Sequence, residues 1–241
     1  LEQFEFPYTL VYPRDIDSGV LQGKYDVLIL PTGALSEAGA RGFSGGGTRD
    51  VPAEYVHMTG RLSEAKSAPM LKKFMEQGGT VLSIGTSTSL GEMLGLPIAS
   101  ALIERSPTGV ERPLPAERFY VPGSVLSVAV NNDLGVAAGS PDSVDVLFDN
   151  SPAFRLAPDA DLKGVKPVAW FDSTHPLRSG WAWGQSYLDG AVAIAQAKVG
   201  QGELYMFGPE ITFRAQPHGT FRFLFNGIYG GGEKPVARTA R

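Results

Sequence analysis

The chain has 241 residues, 43% apolar and 19% charged, which suits one large α/β domain with a substantial core and excludes a wholly disordered chain. A formal charge of −4 gives no basis for expecting nucleic acid or an anionic membrane as partner. The absence of cysteine excludes disulfides, thiolate zinc sites and cysteine catalysis. No apolar run approaches the roughly 20 residues that span a bilayer. Leu1 is followed by Glu2 without a basic n-region, so no signal peptide is read. A start at LEQFEFPYTLVYP, without Met, is that expected of a piece of a longer protein.

In chain order, Tyr8 to Tyr12 alternates and predicts a strand, Asp15 to Gly23 a connection, and Tyr25 to Leu30 (YDVLIL) a buried parallel strand ended by Pro31-Thr32-Gly33. Residues 36–60 form a glycine-rich insert expected to be a mobile surface loop. It is not a phosphate loop, because no Gly-Lys-Ser/Thr follows its glycines. Ser67-Ala68-Pro69 starts a helix whose Leu71, Phe74 and Met75 share a face, and Gly78-Gly79 ends it. Strands at 25–30 and 80–84 around that helix predict a right-handed βαβ unit with parallel, possibly neighbouring, strands.

From Phe119 the chain reads as β, with strands at Val121 to Val130, Val144 to Phe148 and Pro167 to Phe171. Ala191 to Ala197 and Glu203 to Phe207 flank Gly200-Gln201-Gly202 as a hairpin. Phe221, Leu224, Phe225 and Ile228 place a helix over Gly219 to Tyr229. One domain over residues 1–229 is expected, with a disordered tail at 230–241.

The stretch GGTVLSIGTSTSLGEMLGLP, Gly78 to Pro97, is a short apolar strand, a turn of small residues and a helix. Such turns lift a nucleophile clear of a sheet, and the side chain expected in that place is Ser87. Ser87 is either a nucleophile or the small residue a tight turn tolerates. Glu210 either orients a base, or caps a helix or pairs with an arginine such as Arg214. His218 either swings in as a base or is simply a histidine near the start of the last helix. In the loop PLRSGWAWGQ, Trp181, Trp183 and Arg178 could form an aromatic shelf for a sugar ring or peptide, or pack the loop on the sheet or on a missing domain.

Three segments resemble class I glutamine amidotransferases, which have a flavodoxin-like, mostly parallel sheet flanked by helices. IGTSTSLGEMLGL resembles the Gly-x-Cys-x-Gly elbow, YMFGPE the Phe-His-Pro-Glu motif, and LPTG the Leu-Pro-Gly-Gly of the oxyanion hole. The resemblance places the family's cysteine on Ser87 and its histidine on Gly208, and retains Glu210. It therefore implies this α/β fold, here with an added β-rich section, and vestigial rather than working triad positions, since glycine offers no base.

The runs FYVPGSVLSVAVNN, VDVLFDNSPAFRL, WFDSTHPLRSGWAWGQSYLDG and FGPEITFRAQPHGTFRFLFNGIYG are similar to the C-terminal domain of large bacterial secreted zinc carboxypeptidases. This resemblance implies a non-catalytic accessory domain that packs on an N-terminal peptidase domain of the same polypeptide or helps present substrate, in a secreted or periplasmic protein. Zinc would belong to that missing domain. Residues three places after His57, His175 and His218 are Gly60, Arg178 and Phe221, so no His-x-x-Glu occurs, and neither a metal nor another cofactor is expected in this segment. The alternatives are a cell-wall glycan or peptide binding module and a serine hydrolase with a relocated base.

Overall fold

A computed structural model describes residues 1–35, 51–106 and 108–232. In chain order these form α1 (Pro13–Asp17), β1 (Val27–Leu30), α2 (Ser67–Glu76), β2 (Thr80–Ile84), α3 (Leu90–Met93), β3 (Ile98–Ser100), β4 (Ile103–Arg105) and β5 (Glu111–Pro113). There follow β6 (Ser124–Val130), β7 (Ser143–Phe148), β8 (Phe154–Leu156), β9 (Val165–Trp170), β10 (Leu177–Ser179), β11 (Val192–Val199), β12 (Gly202–Phe207) and α4 (Phe221–Gly232).

The sheet runs β1-β2-β12-β11-β9-β6-β10, with β7 also on β6, β8 on β11 and β3 on β8. At one end β1, β2 and β12 are parallel: Leu28 lies opposite Val81, and Leu204 opposite Val81 on the other side. From β11 onward the pairing is antiparallel, so the added β-rich section continues the same sheet. The α/β class, with helices flanking the parallel strands, is thus realised.

All five residues of β2 are buried, as expected of a parallel strand covered on both faces. Alternation sorts them. Leu82 and Ile84 join Phe207, Phe223 and Leu224 on the face covered by α4, while Val81 joins Leu204, Met206, Leu71, Phe74 and Met75 beneath α2. Gly79 permits the close return from α2 to β2, since a Cβ there would lie 2.3 Å from the Phe74 ring. On β12, burial first and then Glu203, which accepts a hydrogen bond from the hydroxyl, push the Tyr205 phenol far above its ordinary value.

The structure corrects three expectations. Tyr8 to Tyr12 makes no strand, since no described strand pairs with it, and Pro13 instead opens α1, where the Tyr12 amide donates to Asp15 Oδ2 at 2.9 Å. Helix α4 continues through Gly232, where 230 onward was expected to be tail; a side chain at Gly231 would lie 2.7 Å from Val27 and Thr80. Residues 233–241 lie outside the described residues. Within the 36–60 insert, 36–50 lie outside them too, while Ala53–Met58 forms a 3₁₀ turn.

Leu82 is fully buried and Leu162 is 90% exposed. Leu82→Ala should therefore cost about 2–5 kcal/mol in urea unfolding, whereas Leu162→Ala should stay within about 0.5 kcal/mol.

Candidate functional site

The carboxyl ends of β1, β2 and β12 converge, which is where open α/β sheets bind ligands. Three short segments meet there: Pro31–Leu35, the 3₁₀ turn Gly85–Ser89, and Gly208–Glu210. The first two help to line a cleft of about 2180 Å³, through Thr32, Gly33, Thr86 and Ser89, and Glu92 lines it too.

The turn after β2 is not arranged as the sequence suggested. The left-handed residue is Gly85 (φ +56°), directly after the strand, and the exposed side chain is Thr86. Ser87 is fully buried: its hydroxyl donates to the Pro31 carbonyl at 2.6 Å and accepts from the Leu35 amide at 3.2 Å. It ties two backbones together and lies below the surface that a substrate would touch. The Gly33 amide is likewise taken, donating to Thr86 Oγ1 at 2.9 Å. The resemblance gives the Leu30–Gly33 segment to an oxyanion; here its Gly33 donor is directed into the chain.

Glu210 accepts a hydrogen bond from the Thr32 hydroxyl, so its partner is neither a helix end nor Arg214. The pair stands directly over the turn. A Cβ at Gly85 would lie 2.0 Å from Thr32 Oγ1 and 2.8 Å from Glu210 Oε1. A nucleophile cannot occupy that apex while the pair is in place.

Gly208 is closed off by backbone. A side chain there would start 2.1 Å from the Pro152 carbonyl oxygen and 2.9 Å from that of Ala193. The loop joining β7 to β8 fills the space an imidazole would need. Arg214, itself left-handed (φ +48°), lies over the Phe213 ring, 5.0 Å from its centroid. His218 is exposed just ahead of α4, with Nε2 3.0 Å from the Ala215 carbonyl oxygen and its ring against Phe221. The hydroxyl of Ser87 and the ring of His218 thus have separate partners.

The second candidate region lies at the far edge of the sheet, on β10 and the loop after it. Trp181 and Trp183 are 54% and 55% exposed, so they are not the buried anchors that packing alone would make them. Trp183 Nε1 donates to the Glu117 carbonyl at 2.7 Å, and Trp181 stands edge-on to Tyr120 at 5.8 Å. Arg178 pairs with Asp145 at 3.6 Å. Sequence reasoning gave no role to Tyr120, Thr32 and Gly85, although all three lie within quoted motifs, FYVPGSVLSVAVNN, LPTG and IGTSTSLGEMLGL. Among the described residues no three His, Asp or Glu side chains gather as a metal site would require.

No protein-family model matches the chain, and no curated protein matches it. Solved structures do. A putative GMP synthase subunit from Thermoplasma acidophilum aligns with TM-score 0.50 and 14% identity, over 92% of this chain and 80% of that one. The fold is amidotransferase-like. At that identity the likeness concerns fold alone. A β-galactosidase from Bacillus circulans sp. alkalophilus aligns with TM-score 0.46 and 15% identity over 88% of this chain, which spans only 24% of that enzyme.

Two outcomes follow from the geometry. Ser87→Ala should lower stability by about 1–3 kcal/mol, measured by urea unfolding, because the buried Leu35 amide loses its acceptor. Gly208→Ala should destabilise by about 1–3 kcal/mol or more, whereas Gly135→Ala, with no atom within 4 Å of its new Cβ, should not.

Proposed function

We propose that this chain is a non-catalytic, amidotransferase-like accessory domain of a secreted zinc metallocarboxypeptidase, packing on the peptidase domain or assisting substrate presentation. The observation that carries the non-catalytic reading is Gly208, seated against the Pro152 carbonyl where the fold's imidazole would stand. The buried, doubly bonded hydroxyl of Ser87 supports it, since a hydroxyl engaged with two backbone groups and without a base is a poor nucleophile. The peptidase parent draws on the four sequence runs between Phe119 and Gly230, and the secreted setting and the zinc of the neighbouring domain come with it. A fluorophosphonate probe should label neither the wild type nor Ser87→Ala. Wild-type labelling that disappears in Ser87→Ala would establish a serine hydrolase instead. The reading frame ahead of Leu1 should encode a His-x-x-Glu domain.

The exposure of Trp181, Trp183 and Tyr120 favours one second reading, a module that stacks a cell-wall sugar or a peptide on this shelf. Retention on immobilised peptidoglycan should then fall in Trp181→Ala and Trp183→Ala; unchanged retention of both variants disposes of the shelf.

A further inference from the structure

Tyr120, Trp181 and Trp183 come from two parts of the chain that the fold ties into one short ribbon. The Tyr120 amide donates to the Trp183 carbonyl at 3.0 Å, and the Trp183 amide donates back to the Tyr120 carbonyl at 3.0 Å. Residues that exchange both bonds in an antiparallel pair carry their side chains on the same face. Trp181, two places before Trp183, is exposed as well, while Ala182 between them packs against the core. On the other backbone the neighbours of Tyr120, Phe119 and Val121, are buried. The outward face of the ribbon therefore carries two indoles and a phenol. All three stand outside the cleft at the strand ends, so they make a shelf and not a pocket.

The polar groups around these rings are already committed. The Trp181 amide donates to the Ser124 hydroxyl at 2.9 Å, and that hydroxyl donates to the Trp181 carbonyl at 2.6 Å. Together with the Tyr120–Trp183 exchange, this pairs the backbone N–H and C=O of all three aromatic residues. A peptide that binds by adding a strand needs free backbone groups, and these residues offer none. The Trp183 indole N–H is spent on the Glu117 carbonyl at 2.7 Å, so this ring offers its face and not its polar tip. The basic residues nearest in the chain are paired too, Arg118 with Glu104 at 2.8 Å and Arg178 with Asp145 at 3.6 Å. With those charges balanced, the shelf has little with which to select a phosphate or a carboxylate.

We propose that this face binds a neutral saccharide whose pyranose rings carry their substituents equatorially. The inference rests on the aromatic shelf of the second reading above and narrows its ligand from sugar or peptide to sugar. A ring of that kind has a flat face of C–H groups and a rim of polar substituents. The C–H groups meet the negative face of an indole, while the rim stays in water and avoids the cost of being buried unpaired. A shelf whose own polar groups are satisfied suits such a ligand, because it demands area from the protein and few hydrogen bonds.

Titration of the chain with hexa-N-acetylchitohexaose, a neutral β-linked oligosaccharide, tests this by tryptophan fluorescence and calorimetry. The wild type should bind saturably, and Trp181→Ala and Trp183→Ala should each weaken binding at least about fivefold. Circular dichroism matching the wild type checks that both variants fold. Affinity should stay within about twofold between about 0.05 and 0.5 M NaCl, because no charge is engaged. A wild type that fails to bind the hexasaccharide overturns the assignment whatever the variants do. If it is nevertheless retained on peptidoglycan through both tryptophans, the shelf stands and the peptide stems are its ligand. If retention is also unchanged in both variants, the shelf itself falls. Hexasaccharide binding that both alanine variants keep, or that salt abolishes, overturns the proposal as well.

Discussion

The hydroxyl of Ser87, held between the carbonyl of Pro31 and the amide of Leu35, determines how the ends of β1 and β2 meet. Both backbone groups belong to a turn that leaves a buried strand, and neither can be left unpaired without cost. Thr86 repeats the device one residue earlier by accepting from Gly33. With those two turns sewn together, Thr32 is carried to where its hydroxyl meets Glu210 at the end of β12. The three parallel strands are therefore joined at their ends by side-chain oxygens as well as by their ladders.

The same strand ends are closely packed by the segments around them. Gly85 lies under the Thr32–Glu210 pair, the Gly33 amide donates to Thr86, and the Pro152 carbonyl abuts Gly208. A side chain at Gly208 would meet backbone, and one at Gly85 would meet the Thr32 and Glu210 side chains, rather than empty space.

The sheet has unlike ends. At the antiparallel end, Trp183 is held by a bridge to Tyr120 and by its indole bond to the Glu117 carbonyl, and the Trp181 backbone by the Ser124 hydroxyl, so the aromatic surface is presented on a fixed support. At the parallel end, β1 pairs with β2 on one edge and with no described strand on the other, and its side chains are apolar. Indoles on such a support offer stacking area to a ligand.

The sequence by itself determined the parallel βαβ unit, the helix over Ser67–Glu76, the β texture after Phe119 and the hairpin at Gly200. All of these rest on local periodicity and on glycine or proline stops that act within a few residues. It also showed that Gly208 brings no imidazole. Only the tertiary structure decided that Ser87 points into the protein, that Thr32 and not Arg214 partners Glu210, and that the tryptophans stand exposed. A two-residue offset in a turn of small residues is invisible to pattern, because GTSTS allows several of its members to take the apex. Tyr8–Tyr12 was misread for the same physical reason: alternation measures how well a segment would serve as a strand, but a strand exists only where a second backbone lies alongside to complete its hydrogen bonds.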